Sequence, residues 1–458
     1  MTQSWWAAVC RRRIFIINVI KRYRKFIIIL GWLAVWHLLA LLVDNEILLA
    51  APLETGREIL ALSCKGGFYL TVGRSLLRIA LGFLAGCASA FLLAVCSRRK
   101  SFMEEILSPV MTLMKAVPVA SFAVLLLIWW GSSFLAVAVC FMVVLPNLYL
   151  NILEGLKSTD VRMLEMARVF RLPLRNRFFY IYRPALKPFL YSGLKLSLGM
   201  CWKSGVAAEV IGTPDFSIGE RLYLSKVYLD TAGIFAWTAV VILMSVLFEK
   251  AVMWLLERFL RWEPACGKQR SAGNADNHRI IKSDISIKVS DVTKIYGEQT
   301  VLDHFSADYI AGETYYLTGP SGSGKTTLLR ILAALARPDS GEVILPSSCG
   351  MVFQEDRLCE DFSAVKNVEL VTGDSKKAQE ALGQLLEREA LHRPCRELSG
   401  GMKRRVALVR AMEAESGYLL LDEPFAGMDQ KTRRQAEDYI RARQAGRTMI
   451  IADHFNNF

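Results

Sequence analysis

The chain has 458 residues, of which 53% are hydrophobic and 22% charged, with a formal net charge of +13. It is too apolar and too poor in charge to be disordered. It is also too apolar for a single soluble enzyme, whose apolar share is usually about 45–50%. The charge is uneven. Residues 1–264 hold 30 Lys and Arg against 16 Asp and Glu, a net of +14, whereas residues 265–458 hold 26 against 27, a net of −1. The basic excess therefore sits in the apolar part, as expected of cytoplasmic loops between membrane spans. A nucleic-acid surface is the other common reading of a basic chain. It is set aside because these basic residues flank hydrophobic segments. None of the ten cysteines forms a Cys-x-x-Cys pair. Several lie in apolar runs, where a free thiol packs as a small hydrophobe.

In chain order, basic residues 11–25 precede the apolar run 26–43, which is long enough to cross a membrane. A cleaved leader ending near Ala50 and Ala51 is an alternative. Further spans follow, so an uncleaved first helix is the better reading. The other candidate spans are 79–96, 109–130, 134–153, 190–212 and 232–256, giving six. Arg98, Arg99 and Lys100 follow the second span, and residues 154–189 carry eight more Lys and Arg. The positive-inside rule then places the N-terminus, both basic loops and everything after residue 256 in the cytoplasm. The expected product is a multi-pass protein of the cell (inner or plasma) membrane, with both termini cytoplasmic. Lys203 and Glu209 fall in or near the fifth span, where structural pairing is the plainer role and a pathway role the sharper one. Residues 264–283 are polar, with small residues and no apolar period, and read as a linker. Strand and helix patterns then alternate from 284 to 458, which argues an α/β domain.

Residues 319–326 read GPSGSGKT, between the strand-like ETYYLTG and the helix-like TLLRILAAL. This context makes them a phosphate loop. The backbone of Gly319, Pro320, Ser321, Gly322, Ser323 and Gly324 curls so that N–H groups face phosphate oxygens. Lys325 reaches the β- and γ-phosphates, Thr326 ligates Mg²⁺, and Thr327 continues the helix whose N-terminus favours the anion. Downstream, YLLLDEP at 418–424 reads as a buried strand delivering Asp422 and Glu423 at its C-terminal end, where open α/β sheets bind ligands. Asp422 is the candidate Mg²⁺ ligand and Glu423 the general base for water.

Residues 398–402 read LSGGM, and here the sequence resembles the ATP-binding-cassette family. The resemblance implies two cofactors, ATP and Mg²⁺. It places Ser399, Gly400 and Gly401 in the signature that completes the nucleotide site of a second cassette. It matches Tyr296 to the aromatic residue that stacks on adenine, Gln354 to the glutamine that senses Mg²⁺ and meets the membrane domain, Asp429 to the aspartate after the acidic pair, and His454 to the histidine at the γ-phosphate. Asp453 departs from the usual Thr or Ser, and Ala426-Gly427-Met428 from the commoner Ser-Ala-Leu. Only 29 positions separate Lys325 from Gln354, so the connections are short.

Residues 154–189 are similar to the cytoplasmic loop of importer permeases. Glu165, Ala167, Ile181 and Pro184 match its pattern, while Met166, Arg171 and Arg183 depart from it. A short helix with apolar Leu164, Ala167, Val169 and Phe170 is expected to dock on the cassette near Gln354. Residues 115–131, 145–160 and 207–212 also resemble the nitrate/sulfonate/taurine branch of uptake permeases. The whole is then identified as a six-span α-helical permease domain (1–263) fused through a linker (264–283) to an α/β phosphate-loop cassette (284–458). The resemblance implies half of an ATP-driven importer for a small anion. It works as a homodimer in the lipid membrane with a separate extracytoplasmic substrate-binding protein, and without nucleic acid. A vitamin-precursor importer, an exporter and a membrane-anchored ATP sensor are the alternatives.

Overall fold

The computed structural model describes residues 26–45, 47–262, 286–320, 322–346 and 348–453. The basic residues 11–25, the linker 264–283, Ser321 and His454 lie outside the described residues. The chain divides into two compact units, one of residues 1–157 and 188–259, the other of residues 158–187 and 260–458. The basic 158–187 segment thus belongs with the C-terminal unit, although it lies between two helices of the first.

The first unit is helical. Its elements are α1 (Phe26–Val43), α2 (Pro52–Cys64), α3 (Phe68–Arg99), α4 (Ser101–Ala116), α5 (Val119–Trp130) and α6 (Ser132–Lys157). The 158–187 segment holds the short helices α7 (Val161–Val169) and α8 (Leu174–Arg177) and the first turn of α9 (Arg183–Gly212), which is followed by α10 (Ile218–Val227) and α11 (Thr231–Arg261). Four of these, α1, α3, α6 and α11, are long and apolar enough to cross a membrane. The expected span 109–130 is instead two helices, α4 and α5, bent by 103°. The cause is Pro118, which caps α5 behind an extended Val117: its ring bars a helical backbone at the preceding residue and supplies no N–H. The expected span 190–212 lies within α9, but Lys195, Lys203 and Glu209 interrupt its apolar run.

Small residues set the packing of α3 on α6. A side chain at Gly82 would meet the Val137 carbonyl oxygen at 2.4 Å, and one at Gly86 would meet Val144 Cβ at 2.9 Å. Two glycines four apart on one helical face let backbones approach closely, as membrane helices require. Glu209 is fully buried. It accepts hydrogen bonds from Ser75 Oγ (2.7 Å) and Gly219 N–H (3.3 Å) and lies 3.7 Å from Arg78. It therefore ties α3, α9 and α10 together, the pairing role expected of an ionisable group at this depth.

The second unit carries two sheets. Strands β1 (Ile287–Tyr296), β2 (Gln299–Tyr309) and β4 (Ser340–Ile344) form an antiparallel sheet in the order β2-β1-β4. Strands β3 (Thr314–Leu317), β5 (Cys349–Val352), β6 (Tyr418–Asp422) and β7 (Thr448–Ala452) form a parallel sheet in the order β3-β7-β6-β5. Every residue of β5, β6 and β7 is buried, as an all-parallel sheet covered on both faces demands. Strand β1 alternates instead, burying Ile287, Val289 and Val292. The helices of the unit are α12 (Lys325–Leu332), α13 (Ala364–Thr372), α14 (Ser375–Leu382), α15 (Arg388–Leu391), α16 (Gly400–Met412) and α17 (Gln430–Arg443).

Candidate nucleotide site

The order β3-β7-β6-β5 explains how residues far apart in sequence meet. The strands are parallel, so the segments that leave β3, β5, β6 and β7 all emerge at one edge, where open α/β sheets bind ligands. Those segments are the phosphate loop after β3, Phe353-Gln354 after β5, Glu423 after β6 and Asp453 after β7. Together they line a cavity of about 270 Å³ whose walls include Gly322, Gly324, Lys325, Thr326, Thr327, Gln354, Asp422, Glu423 and Asp453.

Glycine is needed in the loop for its backbone. Gly322 and Gly324 both have φ of 86°, a left-handed conformation that side chains disfavour. A side chain at Gly324 would also meet the Val301 carbonyl oxygen at 2.9 Å. Gly324 caps α12, and Lys325 and Thr326 open it. Lys325 Nζ donates to the carbonyls of Gly319 (2.7 Å) and Pro320 (2.9 Å), which holds its charge over the loop.

Asp422 is buried, and burial pushes its carboxyl above the usual range. A hydrogen bond with Thr326 opposes that shift, and the neighbouring Glu423 charge adds to it. Asp422 Oδ2 is buried with no hydrogen-bond partner among the described residues. Such an atom is costly unless something satisfies it. A hydroxyl, an amide oxygen and a carboxylate converge here, and oxygen donors of this kind suit Mg²⁺ completed by phosphates and water. Thr326, Gln354 and Asp422 therefore fit the metal role, and Mg²⁺ held there would neutralise phosphate charge. Glu423 has φ of 48°, a strained conformation for a non-glycine residue and one that clusters at functional sites.

Tyr296, Ser399, Gly400, Gly401 and Asp429 do not line this cavity. Tyr296 sits at the end of the β1–β2 hairpin, half exposed, with Lys294 Nζ 5.2 Å from its ring centre. Ser399 caps α16 by accepting from Met402 N–H, and Asp429 caps α17 by accepting from Thr432 N–H. The Thr432 hydrogen bonds hold the Asp429 carboxyl below its usual range. Ser399, Gly400 and Asp429 are exposed. Gly401 is pressed against the turn before Asp429, since a side chain there would meet the Gly427 carbonyl oxygen at 2.9 Å.

The 158–187 segment is built into this unit. Met166, Ala167, Val169, Phe170, Leu172, Tyr180 and Ile181 are buried in one apolar cluster with the strands of the cassette. Helix α7 ends with Arg171 N–H donating to the Arg168 carbonyl and Leu172 N–H donating to the Ala167 carbonyl. This is the Schellman closure, which favours glycine in the left-handed position. Arg171 occupies that position with φ of 49°, so the departure from glycine keeps the turn at a cost of about 1–2 kcal/mol.

Glu165 on α7 accepts from Arg330 (2.6 and 3.2 Å) and from Arg357 (2.8 Å). Partial burial works against its ionised form, but the hydrogen bonds and charges of the two arginines outweigh it and keep its pKa below the usual value. Arg330 lies on α12, the helix opened by the phosphate loop, and Arg357 lies three residues after Gln354. A second cavity of about 310 Å³ shares Thr326, Gln354 and Asp422 with the first and is walled by Arg162, Glu165, Arg330 and Arg357. The sequence reading missed both arginines. The available signal was a lone cation in the apolar run TLLRILAAL.

A phosphate loop, a strand-ending acidic pair and a capped signature helix on a parallel sheet define a phosphate-loop ATPase, here continuous in sequence with a membrane-helix bundle. Comparison with known proteins makes the assignment specific. Residues 302–426 match the ABC transporter family, and residues 79–262 match the binding-protein-dependent transport system inner membrane component. The chain is 38% identical to the aliphatic sulfonates import ATP-binding protein SsuB 3 of Rhodococcus jostii, over 39% of this chain and 67% of that protein. It is 45% identical to SsuB 1 of Pseudomonas syringae pv. tomato, over 34% and 58%. It is 35% identical to the Nod factor export ATP-binding protein I of Sinorhizobium fredii, over 41% and 62%. The chain thus spans between 58% and 67% of these relatives' length. It belongs to the ATP-binding-cassette transporters, with a permease domain and an ATP-binding ATPase domain in one polypeptide.

Proposed function

We propose that the chain is one half of an importer that uses ATP and Mg²⁺ to move a small organic anion of the sulfonate class. Two copies would assemble in the inner membrane with the cassettes in the cytoplasm, each signature helix completing the other's nucleotide site. A separate extracytoplasmic binding protein would deliver the solute. In each site Lys325 and the loop N–H groups hold the phosphates, and Gln354 and Asp422 hold the metal side. Glu423 takes a proton from water, whose oxygen attacks the γ-phosphorus as the bond to the ADP oxygen breaks. The observation that carries the reading is Glu165. One carboxylate of the permease loop joins the helix of the phosphate loop to the segment after Gln354, so movement at the nucleotide is conveyed to the chain entering the membrane helices. The sulfonate-import relatives support the choice of solute.

Export is the second reading, favoured by the Nod factor export relative. Reconstitution separates the two. In proteoliposomes with outward-facing cassettes, an importer expels solute from the lumen when ATP is added and needs the binding protein there, whereas an exporter accumulates it without one. Wild-type hydrolysis no faster than that of Glu423→Gln would overturn both.

A further inference from the structure

The carboxylate of Glu423 is useful only where its backbone puts it, and that backbone is left-handed, with φ of 48°. Something must hold it. Its N–H donates to the Ala452 carbonyl at 2.8 Å, anchoring it to β7. Its carbonyl accepts from Arg404 Nε (3.1 Å) and Nη2 (2.6 Å). Nη2 also donates to the Asp422 carbonyl at 2.5 Å. On the opposite edge of the same guanidinium, Nη1 donates to the carbonyls of Phe353 (2.5 Å) and Gln354 (3.3 Å) and to Asp356 Oδ1 (3.2 Å). Arg404 is only 3% exposed and lies on α16, one turn into the helix that Ser399 caps.

We propose that Arg404 is a positioning residue for hydrolysis. Its rigid fork locks the left-handed Glu423 and the Gln354 segment to the signature helix, so that general base and metal-side ligand are set in one frame. The inference rests on the reading of Glu423 as the general base. Arg404 does not line the nucleotide cavity and contributes no atom to the reaction. It buries a charge against four carbonyls and one carboxylate, an arrangement that a purely apolar packing position would not need. A lysine there offers a point charge without the two-edged fork, so Arg404→Lys should not substitute for it.

The test uses the full chain in detergent or proteoliposomes, with ATP affinity read by displacement of a fluorescent ATP analogue. Arg404→Gln is expected to lower kcat about 30- to 100-fold, the order of loss for a misplacement near 1 Å, while ATP affinity stays within about threefold because the phosphate loop is untouched. The decisive arm is the pair with Glu423→Gln. If Arg404 acts partly through Glu423, Arg404→Gln slows the residual single-turnover rate of Glu423→Gln by clearly less than it slows the wild type, a non-additive cycle. Unchanged kcat in Arg404→Gln, loss of ATP affinity in step with kcat, or a slowing of Glu423→Gln as large as that of the wild type would each overturn the inference. If Arg404→Gln does not fold, Arg404→Lys and Asp356→Asn carry the same measurement, and an unchanged kcat in both overturns it equally. A wild type that fails to outpace Glu423→Gln instead overturns the hydrolytic reading itself, and this inference with it.

Discussion

The helical unit and the cassette both bury charge, but they use it differently. In the helical unit the buried carboxylate is Glu209, which ties three helices together while glycines such as Gly82 and Gly86 set the helix spacing. In the cassette, Arg404 and Arg410 leave one helix, α16, and hold the backbone carbonyls of the segments that line the nucleotide cavity or adjoin it. Shape decides position in the first unit, since lipid gives apolar side chains no reason to prefer one another and close backbone approach must supply the contact. Directed hydrogen bonds decide position in the second, where catalytic groups must be placed to within fractions of an ångström.

The largest expected effect probes the cassette side. Glu423→Gln should lower ATP turnover about 10²–10⁴-fold with ATP affinity retained, measured by phosphate release from the full chain. Equal turnover would remove the chemical half of the contrast. Next comes the helical side. Gly82→Ala forces a Cβ to 2.4 Å from a backbone oxygen, an overpacking worth about 1–3 kcal/mol. Gly73→Ala, on the same helix with nothing within 4 Å, should instead gain up to about 1 kcal/mol from helix propensity. Thermal unfolding in detergent should move in opposite directions for the two. If both lower Tm alike, close approach is not what fixes α3 on α6.

Glu165 offers a pH test of the loop. Its folded pKa is depressed, so its contribution is present above the unfolded value of 4.5 and is lost as pH falls through the folded value. Solute-stimulated turnover should therefore withstand mild acidification as far as Glu165 is concerned. Glu165→Gln should weaken the link to Arg330 and Arg357 by about 1–3 kcal/mol at neutral pH. The measurement is the ratio of stimulated to basal ATPase, which should fall while basal ATPase persists; an unchanged ratio would uncouple this carboxylate from transport. The smallest effect is at Arg171. Arg171→Gly relieves the left-handed strain and should raise Tm by the equivalent of at most about 1–2 kcal/mol, and a drop would mean that the side chain's contacts outweigh its backbone cost.

Much of the cassette was legible because its chemistry is local. The phosphate loop needs its glycines beside Lys325 and Thr326, and a buried strand ending in Asp422-Glu423 announces itself by four apolar residues followed by two acids. The expected docking helix was legible as well, with Leu164, Ala167, Val169 and Phe170 packed in or against the cassette core. The break at Pro118 could have been read from the proline; an unbroken hydropathy run concealed it.

The sequence by itself determined an apolar helical part followed by an α/β part, and the residues proposed for phosphate chemistry, since those follow from composition, apolar runs and short motifs. Only the tertiary structure decided that Glu165 reaches Arg330 and Arg357 and that Arg404 grips Glu423 and Gln354. Those pairs are separated by between 19 and 192 residues. The partners on the sheet side come together because parallel strands in the order β3-β7-β6-β5 bring the segments that carry Arg330, Gln354, Arg357 and Glu423 to one edge. Strand order is a global choice of the packed sheet, and no local spacing in the chain encodes it.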